Sequence, residues 1–444
     1  MFKAHLNEAG LASARFADPN ICFGSTIDTF GALMKQRYEN DLVEKLMYPE
    51  NPFLAKLQKL GDTEMVGSDM PVPIQTALPQ GVGAVFSTAQ TKAGTTGGNT
   101  TSNRFTIEAG DYYGVVHIGD KVLKASRTNR GAFLANKELE IDGLFEQAGE
   151  SLSLAAWGNG GQSIGRRAGI NGAGTVVTLT EAMDAQNFEV GMDVVASAND
   201  GATSTDALLD SGAIATLSGV GREDGTLTAA DWSDISSLAN GSYLFRSGDF
   251  NGDTGNVIMK GVQAFITATN TPPALWGITA ATRATDPQRY AGCRVSNAEL
   301  AGKTMDERIK ILLSRMTSRF KAKRPTAGWM NDEDFQVLET IMAAKGIRAL
   351  DESDTQFGFA TIKIATTAGT LPIHCDRHVP KGHFFALRME DWGLSSMGEL
   401  THFQDDDGVT ILRRATSTDY EARLISYPLT FCRAPKNSGR CSLT

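Results

Sequence analysis

From Ser87 to Asn103 the chain reads STAQTKAGTTGGNTTSN, with a single charge at Lys92 and no large apolar side chain. A segment of that composition cannot offset its own ordering entropy by burial. Loops beyond ~15 residues without structure of their own are in general either disordered or functional. The flanks narrow the choice. Upstream, Val72, Ile74, Ala77, Leu78, Val82 and Val85 lie among Gly and Pro; downstream, Phe105, Ile107 and Ala109 alternate with polar residues before YYGVVHI. Alternation with period two marks a half-buried strand, so the pattern predicts a long hairpin with a polar tip. A two-stranded arm with little core of its own is marginal in water. It is therefore expected to lie on another subunit, with Gln90, Thr91, Lys92, Thr95, Thr96, Asn99, Thr100, Phe105 and Ile107 as the subunit-interface residues.

The rest of the chain is large enough to hold such an arm. Its 444 residues with 41% hydrophobic content can bury a sizeable core, and on length alone two to four domains are expected. A net charge of -9 argues against a general nucleic-acid binder, which is normally basic. Five cysteines, Cys22, Cys293, Cys375, Cys432 and Cys441, are odd in number and form no C-x-x-C pair, so neither a disulfide framework nor a zinc knuckle is indicated. The N-terminal residues lack the apolar core of a signal peptide, and no stretch approaches the ~20 apolar residues of a membrane span. Synthesis and use in a reducing cytoplasm are expected.

Residues 1–62 read as an extended opening followed by helical patterning from about Ile27 to Leu60. After the hairpin, Leu134, Ile141, Phe145, Ala148, Leu152 and Ala155 recur at helical spacing, one apolar stripe on a helix running from about Arg130 to Trp157. At ~1.5 Å per residue it spans ~40 Å. Gly143 within it costs ~1 kcal/mol relative to Ala, which points to a close packing contact there. From 166 to 255 Gly, Ala, Ser, Thr and Asp dominate, and TVVTLT, FEVGMDVVAS, AIATLSGV, GTLTA and SYLFRS alternate with turn signals; this predicts an all-β insertion in an α+β host. Two amphipathic helices follow, at about 305–321 and 332–345, then a strand-rich tail with a turn at Asp407-Gly408.

The motifs that carry chemistry fail on context. Gly161-Gln162-Ser163-Ile164-Gly165 matches G-x-S-x-G, yet a nucleophile elbow needs a strand before the serine and a helix after it; here a helix is followed by a Gly-rich linker. Ala301-Gly302-Lys303-Thr304 resembles the end of a phosphate loop, but Thr304 with Glu307 reads better as a capping box. His374, Cys375, Asp376, His378 and His383 crowd into IHCDRHVPKGH. Alternation would put His374, Asp376 and His378 on one face, although Pro380 and Gly382 make the segment a turn. Asp249, Asn251 and Asp253 imitate a calcium loop whose twelfth position is Lys260 rather than Glu. No catalytic residue, metal site or cofactor site is assigned, and a metal-dependent hydrolase around 374–383 stands as the enzyme-class alternative.

The order of N-terminal arm, polar-tipped hairpin, long helix and mixed domain resembles the major capsid protein of tailed bacteriophages, the Hong Kong 97-like fold. GWMNDEDFQVLETIMAAKG, GTLPIHCDRHVPKGHFFALRMEDW and LWGITAATRATDP resemble local stretches of that family. The resemblance implies an N-terminal arm at 1–62, an extended loop at 63–126 and the spine helix of a peripheral domain at 127–165. It further implies an inserted β-rich domain at 166–255, an axial domain with its connections at 256–400, and peripheral strands with the C-terminal tail at 401–444. It also implies hexamers and pentamers of an icosahedral head around double-stranded DNA held without sequence-specific binding. Its expected partners are copies of itself, a separate scaffolding protein, a portal and a decoration protein, with no membrane. Assembly would take place in the host bacterial cytoplasm. An encapsulin-like nanocompartment shell shares the fold and is the alternative within it.

Overall fold

The structure, a computed structural model, describes residues 51–444 apart from 61–64, 66, 96–97, 120–129, 253–256, 346–349, 352–360, 367–368, 405–410, 415–416 and 418. Residues 1–50 of the expected arm at 1–62, and with them most of the helical pattern from Ile27 to Leu60, lie outside the described residues, as does the turn at Asp407-Gly408. Of the rest, Pro52–Lys56 is a short helix and Gln58–Leu60 a strand held by pairing with Trp392–Ser396, which corrects the helical reading there. The chain divides into two compact units: one drawn from 113–148 and 401–425, the other from 51–112, 149–400 and 426–444.

In the first unit, strands His402–Phe403 and Ile411–Arg413 flank Tyr420–Ser426 in antiparallel pairing, and Tyr112–Ile118 also pairs with Tyr420–Ser426. Against them lies the first part of the long helix, Arg130–Trp157, whose ends are where the apolar stripe places them. Ile141, Phe145 and Ala148 are buried at spacings of four and three, and Phe145 meets Phe403 edge-on at 5.5 Å. Gly143 corrects an expectation. A Cβ there would meet no atom within 4 Å, so no close contact within the described residues requires the glycine.

In the second unit the helix ends with Trp157 fully buried among Phe53, Phe385 and Trp329, at centroid distances of 4.2, 5.5 and 5.9 Å. Rings in such tilted and edge-on arrangements add ~0.5–1.5 kcal/mol per pair beyond their burial. The Gly158 amide bonds back to the Leu154 carbonyl and closes the helix. Gly261 packs on that end so closely that a Cβ would stand 2.1 Å from the Ala156 carbonyl oxygen; only glycine fits.

Beyond the helix, a seven-stranded antiparallel sheet runs in the order Ala215–Thr216, Asp193–Ser197, Tyr243–Arg246, Gly165–Ile170, Val176–Leu179, Thr226–Thr228, Gly219–Gly221. It has a core of its own, with Val177, Phe188, Leu217, Leu227, Trp232 and Leu244 shielded from solvent. Each such aliphatic or aromatic side chain contributes ~1.5–3 kcal/mol on burial, which makes this a packed body rather than a loop. Strand Gly165–Ile170 belongs to it, where the sequence reads as a linker.

A second seven-stranded sheet is mixed, in the order Cys293–Arg294, Gly439–Ser442, His383–Leu387, Ala327–Met330, Gly369–Cys375, Thr361–Thr366, Leu350–Asp351. The pairs Cys293–Arg294 with Gly439–Ser442 and Ala327–Met330 with Gly369–Cys375 are parallel. Helices Met305–Ser318 and Asp332–Ala344 cover it with Ile309, Leu312, Leu313, Met316, Leu338 and Met342. The Thr304 capping box is present, with the Thr304 amide donating to Glu307 Oε2 at 3.0 Å. It satisfies orphan donors at the helix start, which the phosphate-loop reading of 301–304 leaves unexplained.

Candidate assembly surface

The hairpin pairs Asp69–Ala77 with Thr101–Glu108 in antiparallel register, Met70 opposite Ile107 and Val72 opposite Phe105, with an irregularity between Gln75 and Ala77. Met70, Val72, Ile74, Phe105 and Ile107 are all buried on one face. Pro71 and Pro73 stand two apart and donate nothing to the ladder, so the amides they remove would have pointed away from it. They blunt the free edge against pairing with a passing strand.

That buried face overturns part of the interface expectation. Phe105 and Ile107 are 0% exposed: Phe105 stands edge-on to Phe265 at 5.6 Å, and Phe265 in turn to Trp392 at 5.6 Å. The hairpin base is part of its own subunit's core, and neither side chain is offered to a neighbour. Alternation in the sequence identifies the apolar face correctly but is silent on which body covers it.

The tip differs. Gln90, Thr91, Lys92, Thr95, Asn99 and Thr100 are exposed, and Thr96 lies outside the described residues. Within the tip a short helix, Phe86–Ala93, buries none of its side chains. The Thr91 hydroxyl donates to the Ser87 carbonyl at 2.8 Å and the Thr95 hydroxyl to the Lys92 carbonyl at 2.7 Å. The Gln80 amide donates to the Gly98 carbonyl at 2.8 Å, and a Cβ on Gly98 would lie 1.8 Å from the Lys92 carbonyl oxygen, so glycine permits the closure. Leu78, Val82, Val85 and Phe86 stand in solvent beside this helix, Phe86 at 80% exposure. Leu78, Val82 and Val85 are legible in the sequence as apolar residues flanking the tip, while the helix beside them is not, although Val82, Val85, Phe86 and Ala89 sit at helical spacing.

The residues around 374–383 hold the second unit together. His374 is buried against the Trp329 ring at 5.0 Å, with Lys56 Nζ 3.1 Å from its Nε2. Asp376 accepts the amides of Phe53 at 3.3 Å and His378 at 2.9 Å, and burial raises its carboxyl above the ordinary range. His378 Nε2 lies 2.9 Å from Glu150 Oε2. Burial pushes its ring down to about 4, so at neutral pH a neutral imidazole donates to that carboxylate. Asn331 Nδ2 donates to the carbonyls of Arg377 and Val379, and the Gly382 amide to Asp334 Oδ2. Among the described residues no group of three or more His, Cys, Asp or Glu is arranged to hold a metal ion. In the calcium-like run, Asp253 is outside the described residues, while Asn251 spends its amide on the Gly160 carbonyl.

A cavity of about 310 Å³ opens between the helix end, the linker and this turn, lined among others by Ser163, Asp184, Arg377, His378 and Lys381. Burial, and then the neighbouring Glu181, push the Asp184 carboxyl up to about 7. Ser163 and His378 share the cavity, but no hydrogen bond joins them among the described residues, and a strand follows the serine where an elbow requires a helix.

Residues 238–423 match the family model of the SU10 major capsid protein. No curated protein sequence matches the chain. Among solved structures, the chain is similar to the cyanophage A-1(L) capsid protein at 10% identity, covering 89% of this chain and 92% of that one with a TM-score of 0.48. It is similar to a chain of Mycobacterium phage Ogopogo at 10% identity, 88% and 92% coverage and a TM-score of 0.40. The SrpI encapsulin of Synechococcus elongatus aligns over 34% of this chain and 52% of its own, at 12% identity and a TM-score of 0.24. The extended hairpin, the long helix and the mixed sheet with its two covering helices make up an α+β fold. Over the residues that the family model covers, the chain is similar to a major capsid protein.

Proposed function

We propose that the chain forms hexamers and pentamers that close into an icosahedral head around double-stranded DNA, and that the hairpin tip is laid on a neighbouring copy. The exposure of Leu78, Val82, Val85 and Phe86 at the end of an arm whose base is fully packed carries this reading. Apolar side chains held in water at the end of a rigid projection are stabilised only when a second surface covers them. The polar groups of Gln90, Thr91, Lys92, Thr95, Thr96, Asn99 and Thr100 would then border that contact. Head-to-tail contacts of this kind close into rings when the rotation closes. A separate scaffolding protein, a portal and a decoration protein complete the proposed set of partners, with assembly in the host cytoplasm. The net charge of -9 suits a container that must take up and release DNA without gripping it.

Deleting residues 87–95 should leave the thermal midpoint of the free subunit within about 1–2 °C of the intact chain, because no side chain of the tip helix is buried, while shell formation seen by negative-stain microscopy is lost. Amide exchange at 87–95 should be fast in free subunits and slow in shells. Normal shells from the deletion chain, or equal exchange in both states, would refute the role of the tip.

A further inference from the structure

Beside the hairpin strand, at Ile74 and Gln75, lies a second cavity of about 170 Å³. Arg289, Lys323, Arg433 and Lys436 line it together with the single carboxylate Asp391. In a chain with 51 acidic and 42 basic residues, four cations to one anion around a small cavity is a local inversion of sign. Asp391 is already engaged, its Oδ2 accepting from Asn437 Nδ2 at 2.7 Å. Arg289 holds Asp286 through Nε at 2.9 Å, yet its Nη1 is shielded from solvent without a hydrogen-bond partner. Burial, and then the nearby charges of Arg289 and Lys323, lower the Lys436 ammonium below its ordinary range. Like charges drawn together around a buried unpaired donor raise the free energy of the isolated subunit, and an oxyanion in the cavity relieves both.

We infer that this cavity receives an aspartate or glutamate carboxylate from a second copy of the chain. The inference rests on the capsid reading, which brings copies into contact, and on charge complementarity: an arriving copy carries 51 acidic against 42 basic residues, and attraction of opposite potentials fixes register between partners. A cavity of this size accepts a carboxylate, and the arginine and lysine donors match its two oxygens.

Zero-length carbodiimide coupling on assembled full-length chain, mixed from light and heavy isotope-labelled subunits, tests this. Expected are light-heavy peptide pairs joining Lys436 or Lys323 to an Asp or Glu. Lys436→Gln and Arg433→Gln should each slow assembly about tenfold at low salt without lowering the thermal midpoint of the free subunit, and Lys436→Arg should assemble as the wild type does. Coupling confined to Asp391 of the same copy, with both glutamine variants assembling at the wild-type rate, would overturn the inference and leave the capsid reading standing. So would variants whose loss is in binding a short DNA duplex with assembly intact. A wild-type chain that never associates would overturn the capsid reading and this inference together.

Discussion

Replacing Phe105 with alanine removes a ring that is wholly shielded from solvent and stands edge-on to Phe265. Truncating a buried phenylalanine costs about 3–5 kcal/mol, comprising lost transfer energy and the cavity left behind; the loss of the ring pair is contained in that figure, since the terms are not independent. Against a net stability of about 5–15 kcal/mol, this is a large fraction. Phe86→Ala removes the same atoms from a ring that is 80% exposed, so the free subunit should change by no more than about 0.5 kcal/mol. Urea unfolding of dissociated subunits, followed by tryptophan fluorescence, measures the first quantity, and light scattering during assembly measures the second. Phe105→Ala should lower the urea midpoint markedly with an unchanged slope, whereas Phe86→Ala should keep the midpoint and lose assembly. Equal midpoints for the two variants would refute the division of the hairpin into a base that belongs to its own subunit and a tip that does not.

Gly143→Ala should stabilise the free subunit by about 0.5–1 kcal/mol in the same urea assay, because the site is open and helical. Asp184, with its carboxyl at about 7 against an ordinary 3.8, keeps its proton when folded over a range in which the unfolded chain has lost it. Stability from this group therefore falls as pH rises from about 4 to about 7 and is flat above. Asp184→Asn should outlast the wild type in thermal melts above pH 7, with the difference shrinking to nothing below about pH 4. Replacing 166–243 with a short Gly/Ser linker should leave the mixed sheet folded, read as unchanged amide-exchange protection of Ala327–Met330 and His383–Leu387.

The features legible in the sequence are those set by local rules. The long helix was readable because a stripe at helical spacing ends in glycine, and the Thr304 cap because both of its groups lie within one turn. The Phe105 and Ile107 face was readable as apolar, while its cover, Phe265, is far away in sequence. Strand Gly165–Ile170 escaped because its buried positions hold Gly165 and Arg167, and the guanidinium is hidden only by finding the Leu238 carbonyl. Strand Gly439–Ser442 escaped because GRCS is short and polar and is a strand only between its two neighbours. The tip was readable as a polar run with Leu78, Val82 and Val85 on its flank, while the short helix Phe86–Ala93 within it was not, because threonine and glycine around it obscure the helical spacing.

In the seven-stranded antiparallel sheet, Gly165 and Leu244 are ladder partners, which sets the points where the chain comes in and goes out about 5 Å apart. The long helix and everything after Arg246 thus experience the whole intervening body as if it were a tight turn. A lineage carrying such a chain could gain, lose or exchange that body in one recombination event without re-registering any other strand. For the same reason it is the natural graft point for displaying a foreign domain whose two termini lie side by side.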